Sequence, residues 1–588
     1  MNTEQPRQPS NPSEPQAVET INYRQISQEE LTKVLETHRM WIETGGKEGK
    51  KADLRKTNLQ KADLERANLQ GALIGKANLQ RASLSMANLK KADLYKTDLR
   101  EADLQNADLM GATGLLVDQL AGANVSGAKL PPDIHKFAGL SQVEELSKSA
   151  KKLFTSLLVV CAYAWITIAT TIDAQLLTNS TSSPLPFIGA KIPIVGFYWV
   201  GPLILLSLYF WFNLYLQRLW KELAKLPAFF PDGNPLDEKA YPWLLNSLLR
   251  VYFVNLRKKR QFLSLAEIGL SKLLSWWIVP STLVFFWIRY LPRHDWLGTL
   301  FHVSLLVMAI VWGIWFQMLT KLTLKGQQLP FIHEEKPWAN LKTVWNTTKR
   351  IGRVTTTGVM VLVLALAVSD ALINATESGL HRHYIPIILQ SLGIRGFADL
   401  TDQDLSHKPL NWFRDGEVPR LVKGIQLKGF DLRNASASEA FLVNANLTDA
   451  ALQKAFLRGA DLRHAKLTRA KLQNSVLRVA LLTDADLSDA QLQGADLRMA
   501  TLRRTTFEGA NLENANLEGI NVRVSSLRRA ILRGTNLRRA NLTTALNLTQ
   551  EQIDEACVDQ ETKLPETLTR PEQCPELELS KPPRASVN

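Results

Sequence analysis

The sequence predicts a multi-domain membrane protein in which two solenoid rods of short stacked repeats flank an α-helical transmembrane bundle. Two observations carry this. Leucine-type residues recur every five positions in two separate blocks, and between the blocks lie five apolar runs long enough to cross a bilayer. A third, the net charge of +14, narrows what the rods can bind.

The first block opens with KKADLRKTNLQKADLERANLQ, residues 50–70. Leu54, Leu59, Leu64 and Leu69 each follow a small residue (Ala52, Thr57, Ala62, Ala67) by two positions. On an α-helix, steps of five advance about 140° and scatter the leucines around every face. On a strand, an odd step sends consecutive leucines to opposite sides. A path that bends once per pentad brings every central Leu to one axis. The phase holds through Ile74 to Leu109, twelve pentads, with Leu73 in a slot normally Asp or Asn. It returns from Leu427 to Leu542 as twenty-four pentads, with Ala437 a weak centre and Phe507 and Val522 replacing Leu. The register slips at TTALNLTQ.

On these thirty-six units the chain resembles the pentapeptide-repeat family, written A(D/N)LXX. The resemblance implies right-handed quadrilateral β-helices with four pentads per coil, hence three coils and six. The larger rod would be roughly 29 Å long at the spacing of paired strands. The regular Asp and Asn residues then have a structural hydrogen-bonding role. Some members of the family are acidic DNA mimics that occupy gyrase. Residues 425–544 hold 18 Lys/Arg against 11 Asp/Glu, which excludes that role here.

Residues 1–24 are polar and Pro-rich and read as a disordered tail. A capping helix is expected over 25–46. Ser27 and Glu30 have capping-box spacing, Leu31, Val34, Leu35, His38 and Ile42 share a face, and Gly45 and Gly46 end it. The first solenoid is placed at 50–130 and the second at 423–548. A transmembrane domain at 150–380 and a linker at 381–422 lie between them, and a cap and tail at 549–588 follow.

The apolar runs fall at about 153–174, 194–216, 273–291, 298–319 and 354–374. Cationic residues crowd the approach to the first (Lys148, Lys151, Lys152) and the second and fourth loops. The second loop includes Arg218, Lys221, Lys225 and 257–260, and the fourth runs from Lys321 to Arg353. The intervening loops hold only Lys191, and Arg289 with Arg293. The positive-inside rule puts the N-terminus in the cytoplasm, and an odd span count sends the C-terminal solenoid to the opposite side. Residues 241–260, short, apolar and ending in four cations, read as a surface helix on anionic lipid or an extension of a span.

Catalytic signals are sparse. TGGKEGKK fails as a phosphate loop at both ends, and no GxSxG, HExxH, Rossmann fingerprint or CxxC occurs. No enzyme activity, cofactor or metal site is expected. Asp173, His302 and Asp370, near span ends, with His381 and His383, are read as interfacial polar residues in preference to an outer proton or metal site. Cys557 and Cys574 form a candidate disulfide in an oxidising compartment. Stacked at twenty residues per coil, the second block places Arg458, Arg478, Arg498 and Arg538 in one column and Arg463, Arg503 and Arg523 in another. Like charges about 5 Å apart repel, so these columns are a candidate surface for an anionic partner, weighed against a merely solvated face.

The expectation is therefore a non-enzymatic multi-pass scaffold, in contact with membrane lipid and with a protein or anionic partner on the C-terminal solenoid. Nucleic acid is not among the expected partners, and a homo-oligomer is compatible with rods that stack end to end. The family's frequency in bacteria points to a bacterial inner (plasma) membrane. A channel or transport component with regulatory repeat domains is the alternative reading.

Overall fold

The computed structural model describes residues 22–134, 137, 139–179, 182–184, 191–241, 243–257, 263–325, 341–373, 397–409, 412 and 422–571. Residues 1–21, His381, His383 and Cys574 lie outside the described residues, and Arg24, expected to end a disordered tail, instead pairs in parallel with Thr57. Contacts divide the chain into two units. The first comprises Met1–Leu157, Leu208–Ile278 and Trp312–Ile351, and the second Leu158–Ser207, Val279–Val311 and Gly352–Asn588.

The first unit is built on a solenoid whose bridges step by twenty residues, as in Asp53↔Leu73↔Asp93↔Thr113 and Asn58↔Asn78↔Asp98. Four pentads therefore make one coil. The central residues from Leu54 to Leu109 are buried along one axis, with the alanines two positions earlier packed beside them. Each Asp or Asn accepts the N–H two residues on, as Asp63 does from Glu65 at 3.1 Å, which holds the bend between pentads. At Thr97, in the small-residue slot, the hydroxyl donates to the Ile74 carbonyl of the preceding coil at 2.9 Å.

Helix α1 (Gln28–Glu43) starts at Ser27, whose hydroxyl accepts the Glu30 N–H at 3.1 Å. Leu31 enters the solenoid core, and the buried His38 accepts the Ala52 N–H through Nδ1 at 3.1 Å. The other end is closed by chain far away in sequence. Asn124 bridges Phe229, and Val125 and Gly127 donate to the carbonyls of Phe229 and Pro231. Residues 244–257 form three short helical turns, Leu244–Leu248, Leu249–Tyr252 and Val254–Arg257, rather than one continuous helix. Leu245, Leu248, Leu249 and Leu256 are buried, and Asn255 donates to the carbonyls of Glu101 and Gly122.

Among the described residues, four helices are long and apolar enough to cross a membrane. They are α2 (Gly139–Thr170), α3 (Ile194–Leu223), the stretch Leu265–Arg293 containing α4 (Ile278–Tyr290), and α5 (Trp296–Leu324). The expected fifth is α6 (Leu341–Ile373), whose apolar part covers only Thr355–Ala371. That is short of the ~20 residues that span unaided, so the count of five is corrected to four on this criterion. Each of the five long helical stretches is cut once by the division into units.

Prolines shape two of these helices. Pro280 has no N–H for the carbonyl four residues back, Trp276, and in the first unit Tyr209 donates its hydroxyl there at 3.0 Å. Leu273–Trp277 forms a π-helical turn just before it. In the second unit Pro202 leaves the carbonyl of Tyr198 open, and the buried His302 sets Nε2 2.9 Å from it. Trp165 donates to Thr282 at 2.9 Å and Trp287 to Ser369 at 3.0 Å.

The second unit's solenoid repeats the twenty-residue step, as in Gln426↔Asn446↔Lys466↔Asp486↔Thr506↔Ser526. Most sides are single bridges, because each bends before a ladder can lengthen. The exception is an open parallel sheet of β1 (Thr501–Arg503), β2 (Asn521–Ser526) and β3 (Asn541–Leu546). Residues 398–406, within the stretch read as linker, place Leu400 and Leu405 in this core, with bridges Asp399↔Ser436 and Asp404↔Phe441. At the other end α7 (Gln550–Asp554) is followed by chain that stacks one more layer through Asn536↔Cys557 and Asn541↔Lys563.

Candidate functional site: the basic face of the second solenoid

The i to i+20 register brings the arginine columns together as backbone. Gly459 and Val479 donate to the carbonyls of Arg478 and Arg498, and Arg503 pairs with Arg523 across β1 and β2. Their side chains fall into two chemical groups, and the residue two positions earlier sorts them. In an Asp-Leu-Arg triplet the Asp that accepts the Arg N–H also takes the guanidinium in a forked pair. Arg463 does this with Asp461 at 2.9 and 2.7 Å, and Arg498 with Asp496 at the same distances. Arg463 is also buried, its guanidinium 4.7 Å from the ring of Trp412, which packs edge-on against Phe441. Of the seven expected arginines, these two are neutralised within the chain.

Arg458, Arg503, Arg523 and Arg538 follow Phe, Thr, Asn and Asn and make no ion pair among the described residues. Arg538 instead lies 3.7 Å from the Cys557 sulfur. Arg478 follows Val476, reaches Asp496 only at 4.0 Å, and keeps a buried Nε with no hydrogen-bond partner. Other arginines close between coils, as Arg469 to Asp449 at 2.8 Å and Arg504 to Asp484 at 2.6 Å. These contacts hold both aspartates below the usual carboxylate range and push the Arg469 guanidinium up.

The column of Arg458 and Arg478 has apolar company that charge counting alone does not disclose. Phe456 is 52% exposed and bridges Val476 on the next coil, both in slots normally held by Asp or Asn. At the following corner Val479 and Met499 are exposed with φ of 60° and 58°. That region suits Gly or Asn and is strained for a β-branched residue. The signal was in the sequence as FLRG and SVLRV, pentads that lack the acidic residue.

The repeating bend, the buried axis and the twenty-residue coil identify the scaffold that carries this face. The two solenoid stretches are pentapeptide repeats. The model of the pentapeptide-repeat family matches in 8 copies, over residues 50–74, 77–113, 425–463, 460–498 and 505–543. Similar solved structures include HetL of the cyanobacterium Nostoc, a pentapeptide-repeat protein involved in heterocyst differentiation regulation. It is 28% identical over 28% of this chain and 78% of its own, with a TM-score of 0.17. A pentapeptide-repeat protein of the cyanobacterium Cyanothece is 31% identical over 19% of this chain and 63% of its own, with a TM-score of 0.11. One from the Arabidopsis thaliana thylakoid lumen is 27% identical over 19% and 66%, with a TM-score of 0.08. No curated protein matches.

No catalytic family is identified, and no group of three or more His, Cys, Asp or Glu suited to a metal occurs among the described residues. Asp173 pairs with Arg289, and His302 serves the Tyr198 carbonyl, so these two do not gather into one site. Cys161 is a free, buried thiol and Cys557 is disulfide-bonded. Its pairing with Cys574 remains a proposal.

Proposed function

We propose that this protein is a non-enzymatic, multi-pass membrane scaffold. Two right-handed, four-sided rods flank a spanning bundle, with the first rod cytoplasmic and the second on the opposite side of a bacterial plasma membrane. The loop charges support this orientation, which needs α6, whose apolar part is short, to cross in addition to the four longer apolar helices. On the second rod the face around Arg458 and Arg478 takes an acidic protein surface that also carries apolar side chains.

The observation that carries the binding reading is Arg478 itself. Its Nε is buried, makes no hydrogen bond and reaches Asp496 only at 4.0 Å, on the coils that also expose Phe456 and Val479, while the arginines of Asp-Leu-Arg triplets are satisfied in place. A solvating charge has no need of exposed Phe, Val and Met around it, whereas an interface core combines arginine with large apolar groups.

A photo-crosslinking residue at position 479, in cells that make the protein natively, is expected to capture a discrete protein partner. The same residue at His464, on another corner, should capture none, and Arg458→Glu with Arg478→Glu should abolish capture at 479. Equal products at both positions would refute the assignment. The channel alternative finds no support in the spans, whose Trp165, Trp287 and His302 are committed to helix–helix bonds.

A further inference from the structure

Within the second unit, a cavity of about 910 Å³ opens where α2 and α4 end beside residues 399–403. One wall is apolar and made of Trp165, Ile168, Ile172, Phe285 and Ile288. Trp165, Ile172 and Phe285 are each more than a third exposed, and Trp165 is fixed by its bond to Thr282 and an edge contact with Phe285. The other wall is polar: Asp173, Arg289, Asp399, Thr401, Asp402 and Gln403, with Asp399 accepting the Thr401 N–H at 3.3 Å.

The polar wall has a defined charge pattern. Arg289 donates to Asp173 and, through Nε and Nη2, to the Thr171 carbonyl, so three of its five N–H groups are occupied and two remain. Asp173 is filled on both oxygens, by Arg289 and by the Asp399 N–H at 2.6 Å. Asp402 stands at a left-handed corner with φ of 55°, exposed, with no ion pair among the described residues. A cationic donor pair and the exposed carboxylate of Asp402, beyond Asp173 and Asp399, thus share a cavity whose remaining wall is greasy.

We infer that this cavity binds one zwitterionic aminophospholipid. Its phosphate would meet the two open N–H groups of Arg289, its ammonium would meet Asp402, and the first methylenes of its acyl chains would lie on Trp165 and Phe285. The volume is within the range of ligand sites, and an aromatic wall beside polar helix ends is what the head-group level of a bilayer selects. An anionic lipid lacks the group that Asp402 would attract and is repelled by it.

This inference rests on reading the helices as spans, and the test separates the two. Full-length protein extracted in detergent is offered equal excesses of phosphatidylethanolamine and phosphatidylglycerol, and retained lipid is counted by native mass spectrometry. One phosphatidylethanolamine per chain is expected, favoured about tenfold, with the preference falling severalfold in Asp402→Asn. Asparagine suits the left-handed corner, so this variant keeps the fold. Equal retention of both lipids, an unchanged preference in D402N, or no retained lipid would each overturn the site. Protein that needs no detergent would instead defeat the membrane reading.

Discussion

An aspartate two residues before an arginine decides whether that arginine belongs to the fold or to the surroundings. Asp461 and Asp496 close on Arg463 and Arg498, while Phe456 and Val476 leave Arg458 and Arg478 to the solvent side. The same residue scale governs stability. Leu487 is fully buried between coils, and Leu487→Ala should cost about 2–5 kcal/mol, read as faster hydrogen exchange across the adjacent coils. Val479 sits at φ 60°, so Val479→Asn should stabilise by about 1 kcal/mol while weakening capture at the basic face. A loss of stability instead would show that Val479 serves packing.

Acid should loosen the second solenoid in a defined window. Burial alone would raise the Asp431 carboxyl, but the His294 ring 3.1 Å away and the forked Arg433 guanidinium outweigh it and hold the group well below its usual 3.8. The Arg469 and Arg504 contacts hold Asp449 and Asp484 down as well. For depressed carboxylates the added stability is present above the unfolded value and lost as pH falls through the folded values. The melting temperature should therefore be flat from neutrality to about pH 4 on account of these groups, and fall below it. Asp431→Asn should flatten that acid limb.

At the scale of elements, the prolines and their partners form units that can be tested as pairs. His302→Leu removes the group facing the carbonyl that Pro202 leaves open, and should destabilise the detergent-solubilised protein by about 1–3 kcal/mol. Pro202→Ala supplies the missing helical N–H, so the same His302 change should cost much less in that background. Equal costs in both backgrounds would show that His302 acts only by packing. Elements were unequally legible beforehand. The pentads and the Asp-Leu-Arg triplets could be read directly, because each repeats one local geometry. The ADLTDQDLSH pentads at 398–407 broke phase, since Leu405 and Leu427 are not a multiple of five apart. The closure of the first solenoid by 226–257 left no periodic trace, because those residues meet it only through tertiary contacts. The partnering of Pro202 with His302 was hidden for the same reason.

For the whole molecule, the spacing of five and the apolar runs were enough to foresee stacked repeats and helices long and apolar enough to cross a membrane. They were not enough to count spans, because α6 joins a polar first half to an apolar stretch of marginal length. The surface that matters for partners was half legible: the columns were visible, but the burial of Arg463 under Trp412 was not. Sidedness is the claim on which the scaffold reading depends most. Topology reporters fused after residue 46 and after residue 588 measure it directly. The account predicts a cytoplasmic signal from the first and a signal from the opposite compartment from the second. Signals from the same side would contradict it.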